Sequence, residues 1–236
     1  MNLLLESLKA LLFGIVEGVT EWLPISSTGH MILLDEFIQL QMTDAFKSMF
    51  EVVIQLGAIL AVVVLYFKKL WPFCADNGRD SGFSRHFRWP VVRLWCKIIV
   101  ACVPAAVLGL LLDDWLDAHL YNSITVALML IIYGIAFILI ERRPRVPTTT
   151  KLSRITYKQA LIVGAWQVLA LIPGTSRSGS TIIGGLLCGM SRPAASQFTF
   201  FLAIPVMAGA SSLKLVKFLA KGGVFTLPEI SALLVG

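Results

Sequence analysis

Charged side chains are scarce in this chain. Asp, Glu, Lys and Arg make up 14% of its 236 residues while apolar types supply 57%, a balance that excludes an ordinary soluble domain. Cysteine is equally uninformative: Cys74, Cys96, Cys102 and Cys188 form no CxxC pair and no metal-ligand spacing, so neither a disulfide framework nor a thiolate metal centre is implied. A basic leader is missing too. The apolar start carries Glu6 and Lys9 and runs directly into a polar cluster, so it reads as retained structure rather than a signal peptide. The excess of positive charge, +6, does not point to nucleic acid. Of the 20 Lys and Arg residues, 12 fall in two short stretches, 68–93 and 141–158, where they act as a topology signal.

What is present is hydrophobic length. With a mean hydropathy of +0.81, the chain reads as an all-α polytopic membrane protein. Spans are predicted at about 49–67, 94–112, 122–140 and 194–213. The two basic stretches are placed in cytoplasmic loops, and the short acidic connection with Asp113, Asp114 and Asp117 is placed outside. Residues 1–38 and 159–190 are apolar but interrupted, the first at Pro24–Gly29 and the second at 173–181, and each predicts a broken or re-entrant helix pair. Sliding one on the other sets Gly14 over Gly164, Glu17 over Gln167 and, with a one-residue gap, Ser26-Ser27 over Thr175-Ser176. Three spans separate the breaks. An odd number makes the second unit enter from the opposite face, an inverted-topology repeat with repeat one at about 1–112 and repeat two at about 122–236 within one membrane domain. Lys214, Lys217 and Lys221 oppose this reading, since it places them outside. The segment 224–236 is too short for a span, so the second repeat is expected to be incomplete at its C-terminal end.

The polar groups concentrate in the two breaks. Glu17 and Glu21, spaced i, i+4, share a helix face, and an ionised Glu at mid-bilayer costs at least ~2.5–3.5 kcal/mol, so function is favoured over a solvated position at the membrane surface. Ser26, Ser27 and Thr28 after a helix break suit a phosphate. Taken alone they would be read as helix caps, and the second Ser/Thr-rich break shifts the balance. Arg177 offers a fixed fork of donors to phosphate, against a structural ion pair with Glu17 or Glu21, and the two roles are compatible. His30 is a proton-transfer candidate, weighed evenly against a satisfied polar residue. His86 and His119 are placed in loops without a role. Glu51 and Gln55 are expected to face the same cavity.

Three motifs carry a resemblance: Glu-Gly-Val-Thr-Glu-Trp-Leu-Pro-Ile-Ser-Ser-Thr-Gly-His at 17–30, Phe-Glu-Val-Val-Ile-Gln-Leu-Gly-Ala at 50–58 and Pro-Gly-Thr-Ser-Arg-Ser-Gly-Ser-Thr at 173–181. Together, and in this order, they resemble the undecaprenyl-diphosphate phosphatases, multi-pass enzymes of the bacterial inner membrane tied to bacitracin resistance. The resemblance implies hydrolysis of the C55 lipid diphosphate to its monophosphate and inorganic phosphate, recycling the carrier for cell-wall synthesis. It also implies a divalent cation, Mg²⁺ or Ca²⁺. The acidic motif falls on Glu17 and Glu21, the hydroxyl motif on Ser26, Ser27, Thr28 and His30, and the arginine motif on Ser176, Arg177 and Thr181, with Ser178 counted beside them as phosphate-binding. Gln197 stands where many relatives are expected to be acidic.

On this reading Ser27 is the nucleophile with His30 as its base, Glu17 and Glu21 hold the metal, and Arg177 grips the phosphoryl oxygens. A water activated by Glu21, with Ser27 only donating a hydrogen bond, fits nearly as well. The expected partners are the polyprenyl diphosphate, membrane lipids and a candidate second copy of the chain, with no nucleic acid. A transporter or flippase of an anionic polyprenyl-phosphate lipid is the reading from another class, because broken helices in inverted repeats are also a transporter plan.

Overall fold

The computed structural model describes residues 3–74, 86–142 and 146–236. Ten α-helices follow in order: α1 (Leu3–Thr20), α2 (Ser27–Asp35), α3 (Asp44–Val53), α4 (Gln55–Leu70), α5 (Trp89–Leu120), α6 (Ser123–Glu141), α7 (Tyr157–Gln167), α8 (Arg177–Leu187), α9 (Arg192–Ala220) and α10 (Leu227–Val235). Two isolated β-bridges, and no named strand, occur among the described residues. Among the described residues, four helical stretches are long and apolar enough to cross a membrane: Asp44–Leu70, which joins α3 to α4 through Ile54, Trp89–Leu112 of α5, Ser123–Glu141 and Arg192–Ala220. They contain the four spans expected from hydropathy. The outward face of α6 shows why lipid suits them, since Ile124, Leu128, Ile131, Ile132, Ile135 and Ile138 are all more than half exposed.

Two expectations about connections change. The acidic segment 113–117 is not a loop: α5 continues through it to Leu120, and His119 lies in its last turn. Leu110, Leu111, Leu112 and Leu116 are good helix formers and the two Asp residues between them do not interrupt the helix, while Pro104 is tolerated inside it. The lysines that opposed the inverted topology lie at this same end of the bundle, where Lys217 Nζ sits 3.0 Å from Asp114 and holds its carboxyl below the usual carboxylate range. Much of the two basic loops, 75–85 and 143–145, lies outside the described residues.

Caps fix the helix starts. Thr43, Asn122, Thr156 and Ser191 each accept a hydrogen bond from a first-turn N–H of α3, α6, α7 and α9. One core cluster gathers α4, α5, α7 and α9 around Ile98, Val163, Phe198 and Phe201; a second gathers α1, α3, α9 and α10 around Phe13, Phe46, Phe50 and Phe218. Two glycines set how closely helices approach. A Cβ at Gly164 of α7 would lie 2.3 Å from the carbonyl oxygen of Ala101 in α5, and one at Gly14 of α1 would lie 2.2 Å from the backbone of Gly236 after α10.

Gly164→Ala should therefore force α5 and α7 apart at a cost of about 1–3 kcal/mol and lower the melting temperature in detergent by several degrees. Gly134→Ala on α6, where no atom lies within 4 Å of the added methyl, is the matched control and should leave it unchanged or slightly raised.

Candidate active site

The two helix breaks meet. After Thr20 the chain makes one more helical bond, from Glu21 N to Glu17 O at 2.9 Å, and then turns through Leu23 to Ser26. Ser26 caps α2, accepting from Gly29 N at 3.2 Å, and does so with φ +64°, the only positive φ outside glycine among the described residues. Such a backbone costs a serine of order 1–3 kcal/mol, and strain of this kind collects at functional sites. In the second break Ser176 caps α8 in the same way, accepting from Gly179 N at 3.1 Å. The caps thus pair Ser26 with Ser176, one residue off the gapped alignment expected from sequence, and they put Ser27 and Arg177 at the first helical position of α2 and α8 respectively. Hydroxyl runs align equally well in either register by composition. Cap geometry selects the ungapped one, which also pairs Gly29 with Gly179.

Glu21 joins the two starts. Its Oε2 accepts from Ser27 Oγ at 2.7 Å, and its Oε1 is paired with Arg177 Nη2. Arg177 Nη1 also donates to the Thr199 carbonyl of α9 at 3.4 Å, while its buried Nε has no partner. Glu17 and Glu21 are 1% and 7% exposed, which excludes the solvated surface position. Both carboxylate oxygens of Glu17 are buried without a hydrogen-bond partner.

A cavity of about 570 Å³ opens over this cluster. Glu21, Ser26, Ser27, Thr28, Ser176 and Arg177 line it, as does Gln55, whose Nε2 reaches Thr28 Oγ1 at 3.4 Å. Its remaining wall is mostly apolar, with Ala105, Ala106 and Leu110 from α5 and Val206, Met207 and Leu213 from α9.

Several side chains lie elsewhere than expected. The hydrogen bond of His30 is not to Ser27: its Nδ1 bonds the Ser26 carbonyl at 2.8 Å, one turn back on its own helix, and it does not line the cavity. The carboxylate that accepts from Ser27 Oγ is that of Glu21. Ser178 and Thr181 are also turned away, Ser178 Oγ toward Ser176 and the Leu23 carbonyl, Thr181 Oγ1 toward the Arg177 carbonyl and Thr199. They lie three apart on the face of α8 that packs inward. Glu51 accepts from Tyr121 O–H at 3.2 Å and does not line the cavity, although Tyr121 does. Two lining groups, Gln167 and Thr175, were not expected as site residues. Gln167 carried a signal nonetheless, since it aligns with Glu17.

A bundle of membrane-length helices enclosing a carboxylate, a serine hydroxyl and a guanidinium in one cavity defines a polytopic membrane protein with a buried polar site. The model of the family described as bacitracin resistance protein BacA matches residues 10–236, and the chain belongs to that family. It is 60% identical over 230 residues to a protein of Enterococcus faecalis named undecaprenyl-diphosphatase, covering 97% of this chain and 81% of that one. Proteins of the same name from Desulfitobacterium hafniense and Streptococcus mutans are 59% and 55% identical, each with 99% of this chain and 82% of the relative covered. The chain is a multi-pass protein of the bacterial inner membrane.

Because Arg177 and Glu21 neutralise one another in a buried setting, Arg177→Met alone should cost about 3–5 kcal/mol by leaving the carboxylate without its partner. Glu21→Gln combined with Arg177→Met should cost clearly less than the two single changes added together. Thermal unfolding of the four proteins in one detergent measures this, and strict additivity would mean the pair is uncoupled.

Proposed function

We propose that this chain hydrolyses undecaprenyl diphosphate to undecaprenyl phosphate and inorganic phosphate, as the names of its relatives state for them. The observation that carries the reading is the chain of contacts from Ser27 Oγ to Glu21 to Arg177 at the floor of a cavity with apolar walls. Nucleophile, base and phosphate clamp are the three things phosphoryl transfer asks of a protein, and here they are within hydrogen-bond reach of one another.

Glu21 takes the proton of Ser27 as Oγ attacks the terminal phosphorus. The bond from that phosphorus to the bridging oxygen breaks, the lipid monophosphate leaves with the electron pair, and water then hydrolyses the phosphoserine to release phosphate and restore Ser27. Arg177 keeps an unused Nε–H and the charge to stabilise the phosphoryl oxygens through both steps. The first helical turns of α2 and α8 begin at the cavity and favour negative charge there. His30 would hold the cap of α2 in place rather than move protons.

Glu17 and Glu21 fit a hard cation such as Mg²⁺ or Ca²⁺, since the two Glu17 oxygens are buried, unpartnered and within a helical turn of Glu21. When bound, such an ion supplies charge neutralisation at the phosphoryl oxygens.

The inverted repeat belongs to the same proposal, with units at about 1–112 and 122–236 and α1–α2 and α7–α8 as the re-entrant pairs. Four pairs of residues support it at one common separation along the chain. Gly14 and Gly164 both sit at backbone-close contacts, Glu17 and Gln167 are both buried without partners, and Ser26 and Ser176 cap Gly29 and Gly179. The first helix of the second unit, α6, lies against both caps, with Val126 against Gly29 and Phe137 against Gly179.

Purified protein should release phosphate from undecaprenyl diphosphate in detergent, where a transporter has no two compartments to act between, and EDTA should suppress the release. Arg177→Lys keeps the charge but loses the fork, and should lower kcat/KM at least about tenfold, or ~1.4 kcal/mol of transition-state stabilisation. Ser27→Ala should abolish a trappable phosphoenzyme. A variant that retains more than about a tenth of the rate would give the attack to a water activated by Glu21.

A further inference from the structure

Two polar side chains in the cavity wall take no part in the contacts around Glu21. Gln167, the last residue of α7, is 2% exposed, and neither its Oε1 nor its Nε2 has a hydrogen-bond partner. Thr175, just before the cap of α8, is 4% exposed, and its Oγ1 is likewise unpartnered. Both line the cavity. Polar groups buried this deeply are almost always hydrogen-bonded, so two unmatched side chains on residues that line one cavity point to a ligand.

The chemistry of the pair indicates which ligand. The amide and the hydroxyl are donors without formal charge, and the nearby Arg177 adds a third unpartnered donor in Nε–H. The carboxyl acceptors lie in the other break, on Glu17 and Glu21. The side of the cavity built by Gln167, Thr175 and Arg177 therefore suits an anion. Between the two neutral donors the chain supplies an apolar strip, with Ala170, Leu171 and Ile172 lining the same cavity. The group of a lipid diphosphate that must sit between the reacting phosphorus and the hydrocarbon is the phosphate that stays on the lipid.

We propose that Gln167 and Thr175 form the subsite for that retained phosphate, donating N–H and O–H to its non-bridging oxygens. This rests on the diphosphatase reading. It also gives a reason for an amide where the first break has a carboxylate: a second acid here would repel the anion that Arg177 attracts. The donors hold the part of the substrate that is common to reactant and lipid product, so their effect falls on binding of both.

The test is binding of farnesyl phosphate, a water-compatible lipid monophosphate, to the full chain in detergent by calorimetry, with inorganic phosphate titrated in parallel. Gln167→Leu and Thr175→Val should each weaken farnesyl phosphate about tenfold while leaving inorganic phosphate unchanged. Thr175→Ser should bind as wild type does. Gln167→Glu, which keeps the shape of the amide, should weaken binding at least as much as Gln167→Leu and carries the test if the latter unfolds at lower temperature. Wild-type affinity in both Gln167→Glu and Thr175→Val would overturn the subsite. So would failure of the wild-type chain to bind farnesyl phosphate, or equal losses for both probes. Turnover does not enter this readout, so a chain that binds the monophosphate through these two residues but releases no phosphate would sink the diphosphatase reading and not the subsite.

Discussion

The Glu21 carboxylate, held between Ser27 and Arg177, is the constraint on which the remaining geometry depends. It comes from the end of α1 and reaches a guanidinium more than half the chain away, so the first break cannot be in place unless the second is. A buried ion pair of this kind is poor as a source of stability, because the cost of desolvating both charges offsets much of their attraction. Its use is positional. With Arg177 on one oxygen, the other accepts from Ser27 Oγ at 2.7 Å, which fixes the direction of the serine hydroxyl.

That arrangement requires rigid backbone close by, and the chain supplies it at two levels. Locally, Ser26 and Ser176 satisfy first-turn N–H groups that would otherwise be stranded in an apolar setting, so both helices can begin at the cavity. At longer range, the contacts at Gly14 and Gly164 let the helices that carry Glu17 and Gln167 press against their neighbours at backbone distance. In lipid there is little hydrophobic drive between helices, and close packing at small residues supplies the association instead. The apolar faces of α5 and α9 then serve twice, outward to lipid and inward as cavity wall.

The two breaks are alike in backbone and unlike in chemistry. One offers carboxylates and a serine in a strained turn; the other offers an arginine, an amide and a threonine. A diphosphate headgroup needs both, since the reacting phosphorus calls for a base and a nucleophile while its oxygens call for donors. Placing the two sets on separate segments keeps opposite charges from neutralising one another completely: Glu21 and Arg177 pair, whereas Glu17 and the Arg177 Nε remain without protein partners.

The sequence by itself determined the class of the molecule and the identity of its polar groups. Four long apolar runs could only be helices in a membrane, because no other open structure satisfies its own backbone there, and polar residues inside such runs are costly enough to be read as a site one at a time. Glu17, Glu21, Ser27 and Arg177 were legible for that reason, and so was the presence of two breaks. Which side chains touch was not. Whether Ser27 meets His30 or Glu21 depends on the turn that α2 makes after Ser26, and a helix start displaced by one residue redirects every group behind it by about a quarter turn. Ser178 and Thr181 looked equivalent to Ser176 in the motif, but the cap at Ser176 sets the face of α8 on which each falls, and theirs is the packed one. The acidic segment 113–117 carried the composition of a loop, and only the continuation of α5 past the apolar span made it helix. Gln167 and Thr175 were visible as residues but not as unpartnered groups in the lining of a cavity, since being unpartnered is a property of the surroundings and belongs to tertiary structure alone.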